Sequence, residues 1–211
     1  ACVILLASRL LGTRVENIPL DRLHEPHDWR ITTGTRATSA LRTDEHCMAL
    51  DLSYDELLRY TNDEREKWRR WLQSRPEAME TVLQPEGRFP TVGKLIDHVF
   101  LVERRHLQRL TGDPVSESTG LTGSNAPPLF DYGASVRREL EQFAGLIEED
   151  DAREPRNFDV RGETVSMSPR KLMFHILLHE IRHWAQIALA VRLAGLEPPG
   201  EHDLFYSRAL R

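Results

Sequence analysis

The chain has 211 residues, 40% hydrophobic and 29% charged, with a formal net charge of −5, the profile of an ordinary globular protein of about one domain's size. The weak negative charge offers no basic footprint for nucleic acid or an anionic membrane surface, and no apolar run reaches the roughly 18 residues of a membrane span. Two cysteines, Cys2 and Cys47, stand in no metal or redox spacing, so no disulfide framework is expected and a reducing cytoplasm is the expected compartment.

Residues 1–47 differ in character from the rest of the chain. They hold six arginines, no lysine and six acidic residues, so the whole net charge falls on the remainder. They show no sustained helical or strand period after Leu11. The first methionine is Met48, and Met48-Ala-Leu-Asp-Leu-Ser reads like a protein start. The expectation is a disordered or misassigned leader over 1–47 and one domain over 48–211.

The domain reads as four helices. Ser53 and Glu56 form a capping-box pattern, followed by Leu57, Tyr60, Glu64, Trp68 and Trp71 near helical spacing, until Pro76 stops the run. A second helix starts near Thr91, just after Pro90. Its stripe is Leu95, Val99, Val102, His106 and Leu110, and Gly112 ends it. Thr111 to Leu129 is a linker rich in Gly, Ser, Thr and Pro. The third helix begins near Asp131, with Val136, Leu140, Phe143 and Ile147 on one face. It should fray at Glu148-Glu149-Asp150-Asp151, because acidic residues oppose a helix C-terminus. Residues 157–167 alternate polar and apolar around Arg161-Gly162, the pattern of a short hairpin. Ser168-Pro169 opens the fourth helix, which runs to about Ala194 with Gly195 as its stop. The fold class is all-α, a four-helix bundle.

The chemistry concentrates in the last helix, His175-Ile-Leu-Leu-His179-Glu-Ile-Arg-His183. Imidazoles four residues apart share a helix face. Each such step drifts about 40°, so an adjacent pair can hold one ion while the third histidine lies a turn away. His98, between Leu95 and Val102, should face the interior and supply a third ligand. Three neutral imidazoles suit a divalent metal such as zinc or nickel and leave a coordination position open. Tyr60 or Asn62 is expected to line the cavity. His24, His27, His46, His106 and His202 read as ordinary core or surface histidines, and His175 as a supporting group or a residue at the bundle end. A competing reading comes from His179-Glu180-Ile181-Arg182-His183, which fits the His-Glu-x-x-His signature of zinc proteases with Glu180 as general base. No strand-rich substrate-binding subdomain is visible upstream to accompany it.

From about Asp51 onward the chain resembles the DinB/YfiT-like family of metalloenzymes. Phe89-Pro90-Thr91-Val92-Gly93-Lys94-Leu95-Ile96-Asp97-His98-Val99 is similar to the family's stretch carrying the first metal histidine. Leu178-His179-Glu180-Ile181-Arg182-His183-Trp184-Ala185-Gln186 is similar to its run Asn-His-x-x-His-His-Arg-Gly-Gln, and Asp203-Leu204-Phe205-Tyr206 to its terminal segment. The resemblance implies that His98, His179 and His183 are the metal ligands, selecting the second of the two possible pairs on the last helix. Leu178, Arg182, Trp184 and Ala185 depart from the pattern beside the ligands. The resemblance further implies a variant up-and-down bundle, a homodimer, and a metal-dependent enzyme such as an S-transferase. Its cosubstrate would be a low-molecular-weight thiol, such as bacillithiol or mycothiol, acting on a small-molecule substrate. Alternatives are a metal-dependent hydrolase and a non-catalytic, stress-associated metal-binding bundle.

Overall fold

A computed structural model describes residues 52–200 and 202–209. The leader assigned to 1–47, and the domain start at Met48, lie outside the described residues. Among the described residues there are five α-helices and one two-stranded sheet.

Helix α1, Tyr54–Ser74, opens on the expected box. Glu56 N donates to Ser53 Oγ at 3.2 Å, and Ser53 N donates to Glu56 Oε2 at 2.9 Å. A 3-10 turn, Pro76–Glu80, comes next. Residues 81–91 then make an excursion that doubles back, with Leu83 N donating to Pro90 O and Val92 N to Thr81 O. Helix α2, Val92–Thr111, is capped by the Thr91 side chain and ends on Gly112 at φ 80°, a left-handed position where glycine carries no Cβ penalty.

Two boundaries differ from the sequence expectation. Helix α3 spans Ala126–Leu146 and so starts five residues early. Pro127 and Pro128 occupy its first turn, where a missing N–H leaves nothing unpaired. Its end does not fray through the acidic run. It stops at Ile147, and a separate short helix, α4, Glu149–Arg153, begins with Glu149, Asp150 and Asp151 in its first turn. The acids thus sit at a helix N-terminus, where the backbone dipole favours them.

The hairpin forms as expected: β1, Arg156–Val160, pairs antiparallel with β2, Glu163–Met167. Its turn residues Arg161 and Gly162 have φ of 60° and 81°. Helix α5, Pro169–Leu193, starts with Lys171 N donating to Ser168 Oγ. No helix among the described residues is long and apolar enough to cross a membrane.

Helix α2 packs on α3 and α5, and α1 packs on the same two partners. Small residues permit the closest approaches. A Cβ on Gly93 would lie 1.6 Å from Gly123 O, and one on Gly133 of α3 would lie 2.8 Å from the Phe100 ring of α2. The apolar interior falls into two clusters. One gathers Trp68, Trp71, Ile96, Phe100, Phe130 and Trp184; the other gathers Leu57, Leu107, Val136, Leu140, Leu172 and Leu177. Trp68 and Trp71 are both buried, so they present no apolar face to solvent in the described unit.

Candidate metal centre

Helices α2 and α5 pack closely enough to bring His98 against His179 and His183. One ring nitrogen from each lies within 4.8 Å of the others. His179 Nε2 and His183 Nε2 are 3.1 Å apart. Two ligands at about 2.05 Å on tetrahedral zinc stand roughly 3.3 Å apart, so this pair already has the separation one ion requires. His183 Nδ1 lies 2.6 Å from Gln186 Oε1. The carbonyl oxygen accepts the Nδ1 proton and leaves the Nε2 lone pair free for a ligand. Phe89, carried in by the 81–91 excursion, lies over His98 with ring centroids 4.3 Å apart.

The electrostatics keep these rings neutral. Burial, then the charge of His183, and then Arg88, Arg105 and Arg161, push His98 down to about 4. Burial and the neighbouring His183 and His98 push His179 down to about 3. Burial also lowers His183, with the Gln186 hydrogen bond partly opposing it. Neutral imidazole is the metal-binding form. Among the described residues, no Cys, Asp, Glu or fourth His joins the three. The donor set therefore fits a divalent ion with a coordination position left over.

Two clefts adjoin the histidines. An apolar one of about 780 Å³ is lined by Phe89, Gln186, Leu189, Ala190 and Leu193. A cationic one of about 650 Å³ has His98 and His179 in its wall, together with Arg88, Arg105, Arg109 and Arg161. His106 and His175 also line the second cleft, their ring centroids 5.3 Å apart. Burial and His175 lower His106 to about 3. Neither His106 nor His175 belongs to the three-histidine cluster.

Tyr60 and Asn62 line neither cleft. Tyr60 donates its hydroxyl to His202 O at 2.7 Å, and Asn62 bridges Glu141 and Arg137. His202 takes the core side of its expected role as a packing histidine. Its ring stacks on Trp68 at 5.2 Å, and its Nδ1 lies 2.7 Å from Glu64 Oε2, which ties the C-terminal segment to α1.

The protease reading fails on Glu180. Its carboxylate turns away from the histidines into a buried four-charge network, with one member from each long helix. Glu180 accepts from Arg65 Nε at 2.9 Å, from Trp184 Nε1 at 3.0 Å and from Arg137 Nη2. Glu103 accepts from Arg65 Nη2 and Arg137 Nε, each at 2.6 Å. The remaining guanidinium nitrogens are also partnered, Arg65 Nη1 by Gly133 O and Arg137 Nη1 by Thr61 Oγ1 and Asn62 Oδ1. Burial alone would raise the Glu180 carboxyl, but Arg65 and Arg137 override it and hold it below the usual carboxylate range. A base so committed cannot activate water. Trp184, a departure from the family's run, is buried between Trp68 and Phe130 and serves this network.

Sequence reasoning passes over the network, yet a signal for it exists. Each charge stands in line with apolar residues at helical spacing: Arg65 ahead of Trp68 and Leu72, Glu103 between Val99 and Leu107, Arg137 between Gly133 and Leu140, and Glu180 between Ile176 and Trp184. The arginine cleft has no comparable signal, because its members come from three separate segments.

No curated protein matches the chain. The model of one family, the DinB family, matches residues 45–209. That span contains every residue of the histidine cluster, both clefts and the buried network, and the chain belongs to the DinB family.

Proposed function

We propose that this chain is a metal-dependent transferase that joins a low-molecular-weight thiol to an electrophilic small molecule, with His98, His179 and His183 as the metal ligands. The observation that carries the reading is the convergence of three neutral imidazoles without a fourth protein ligand, two of them, His98 and His179, in the wall of an open cleft. A divalent ion there, zinc or nickel, supplies the Lewis acidity that favours thiolate over thiol near neutral pH. Gln186 fixes the His183 tautomer, and Phe89 packs against His98. Leu189, Ala190 and Leu193 offer an apolar wall for the electrophile. The four long helices are read as a four-helix bundle of the variant up-and-down kind, and the active form as a cytoplasmic homodimer that binds no nucleic acid.

The test is the metal content of the purified protein beside His98→Ala and His183→Ala, followed by thiol consumption with a chromogenic electrophile. The reading expects about one equivalent of metal, lost in both variants, and activity that disappears with it. Metal retained in both variants would remove the assigned ligands. Metal binding without turnover on any thiol would leave a non-catalytic bundle.

A further inference from the structure

We propose that the arginine cleft beside the histidines binds the anionic group, carboxylate or phosphate, of a small molecule whose reacting end reaches the three imidazoles. The second half of this statement rests on the function proposed above; the first half rests on the cleft alone.

Three separate segments send arginines to one place. Arg88 comes from the excursion before α2, Arg105 and Arg109 stand one turn apart on α2, and Arg161 sits at the hairpin tip. Where their donors are engaged, the acceptors are backbone carbonyls. Arg105 donates to Ser116 O at 2.7 Å and to Glu117 O at 2.6 Å. Arg109 donates to Asp159 O at 2.7 Å and to Arg105 O at 3.1 Å. Carbonyls orient a guanidinium without neutralising it. One acid, Glu163, lines the cleft with the four arginines, so positive charge stays in excess there. Burial and the adjacent Arg105 lower Arg109 against the opposing pull of Asp159, as expected for like charges held together. Planar guanidinium forks match carboxylate and phosphate oxygens in pairs, and a cleft of about 650 Å³ is of small-molecule size.

Arg161 supplies an independent observation. Its φ of 60° is a left-handed turn position that asparagine or glycine occupies at lower cost. An arginine held there against its backbone preference, with its side chain in the cleft wall, is explained by what the side chain does. His106 also lines the cleft, beside Arg105 and Arg109.

The test is calorimetric titration with inorganic phosphate and, separately, with succinate, at fixed ionic strength. The proteins are the parent, Arg105→Gln/Arg109→Gln, Arg161→Asn and His183→Ala. At least one anion should bind the parent, and the tighter of the two identifies the ligand's charged group. Both arginine variants should bind it tenfold or more weakly. Arg161→Asn should do so with an unchanged or higher Tm, which separates loss of a ligand contact from loss of fold. His183→Ala, which changes the histidine cluster outside the cleft wall, should retain the binding. No binding to the parent, or unchanged affinity in both arginine variants, overturns the proposal. Loss of binding in His183→Ala also overturns it, because the anion would then sit at the histidines. Anion binding by a parent that takes up no metal would sink the metal-centre reading and leave the cleft standing.

Discussion

Helices α2 and α5 each contribute to two polar clusters that lie close together and differ in kind. In the four-charge network every carboxylate oxygen and every guanidinium nitrogen has a partner, and the charges cancel. In the histidine cluster two Nε2 atoms face each other at 3.1 Å, and three neutral rings converge on a common point without a protein group to share. A buried polar cluster satisfied from within specifies packing. One whose lone pairs converge on a point that the protein leaves empty of donors specifies a ligand. Adjacent residues, His179 and Glu180, fall on opposite sides of that division because one helical step turns the side chain by about 100°.

The largest effect should come from breaking the satisfied cluster. Glu180→Ala leaves Arg65 and Arg137 short of a counter-charge, and removing one partner of a buried pair costs about 3–5 kcal/mol. Urea denaturation of the variant should show that loss, and a loss under about 1 kcal/mol would mean that the network is solvated. The same carboxyl sets an acid response. Its folded-state pKa lies below the ordinary value of 4.5, so its contribution is complete above that pH and drains away as pH falls towards the folded value. Glu180→Gln should flatten that part of the stability profile; an unchanged acid limb would assign it to other groups.

A smaller effect tests the ligand-specifying cluster. Gln186→Ala frees the His183 tautomer, and loss of such a support weakens metal binding about 10- to 100-fold. Competition with a chelator of known affinity measures it, and unfolding of the metal-free protein should be little changed. Equal losses in both measurements would make Gln186 a packing residue. Smallest of all, Ser168→Ala removes the α5 cap and should cost about 1 kcal/mol in thermal unfolding. It should leave metal affinity untouched, because the cap lies three turns from His179. A fall in affinity would show that the helix start and the histidines move together.

Much of this layout is legible in the residues. The Ser53–Glu56 box, Gly112, Gly195, Arg161-Gly162 and Ser168-Pro169 each specify a local conformation through their own chemistry, and the boundaries they mark are the ones observed. The start of α3 is misplaced from sequence because Pro127-Pro128 reads equally as linker or as first helical turn, and only packing of Leu129 and Phe130 in the core decides it. The split at Ile147 comes from dipole preference applied to the next helix rather than to the preceding one. His98 is accessible from its stripe. Phe89 and the cleft arginines are not, because their positions depend on how the 81–91 excursion and the hairpin fold back onto α2.

Arg65, Glu103, Arg137 and Glu180 come one each from the four long helices, and that distribution bears on how the molecule unfolds. Detaching any single long helix strands a charge in an apolar interior. Partly assembled states are therefore penalised whichever helix is missing, and the described unit should lose its structure in one concerted transition, with secondary- and tertiary-structure probes tracing the same curve.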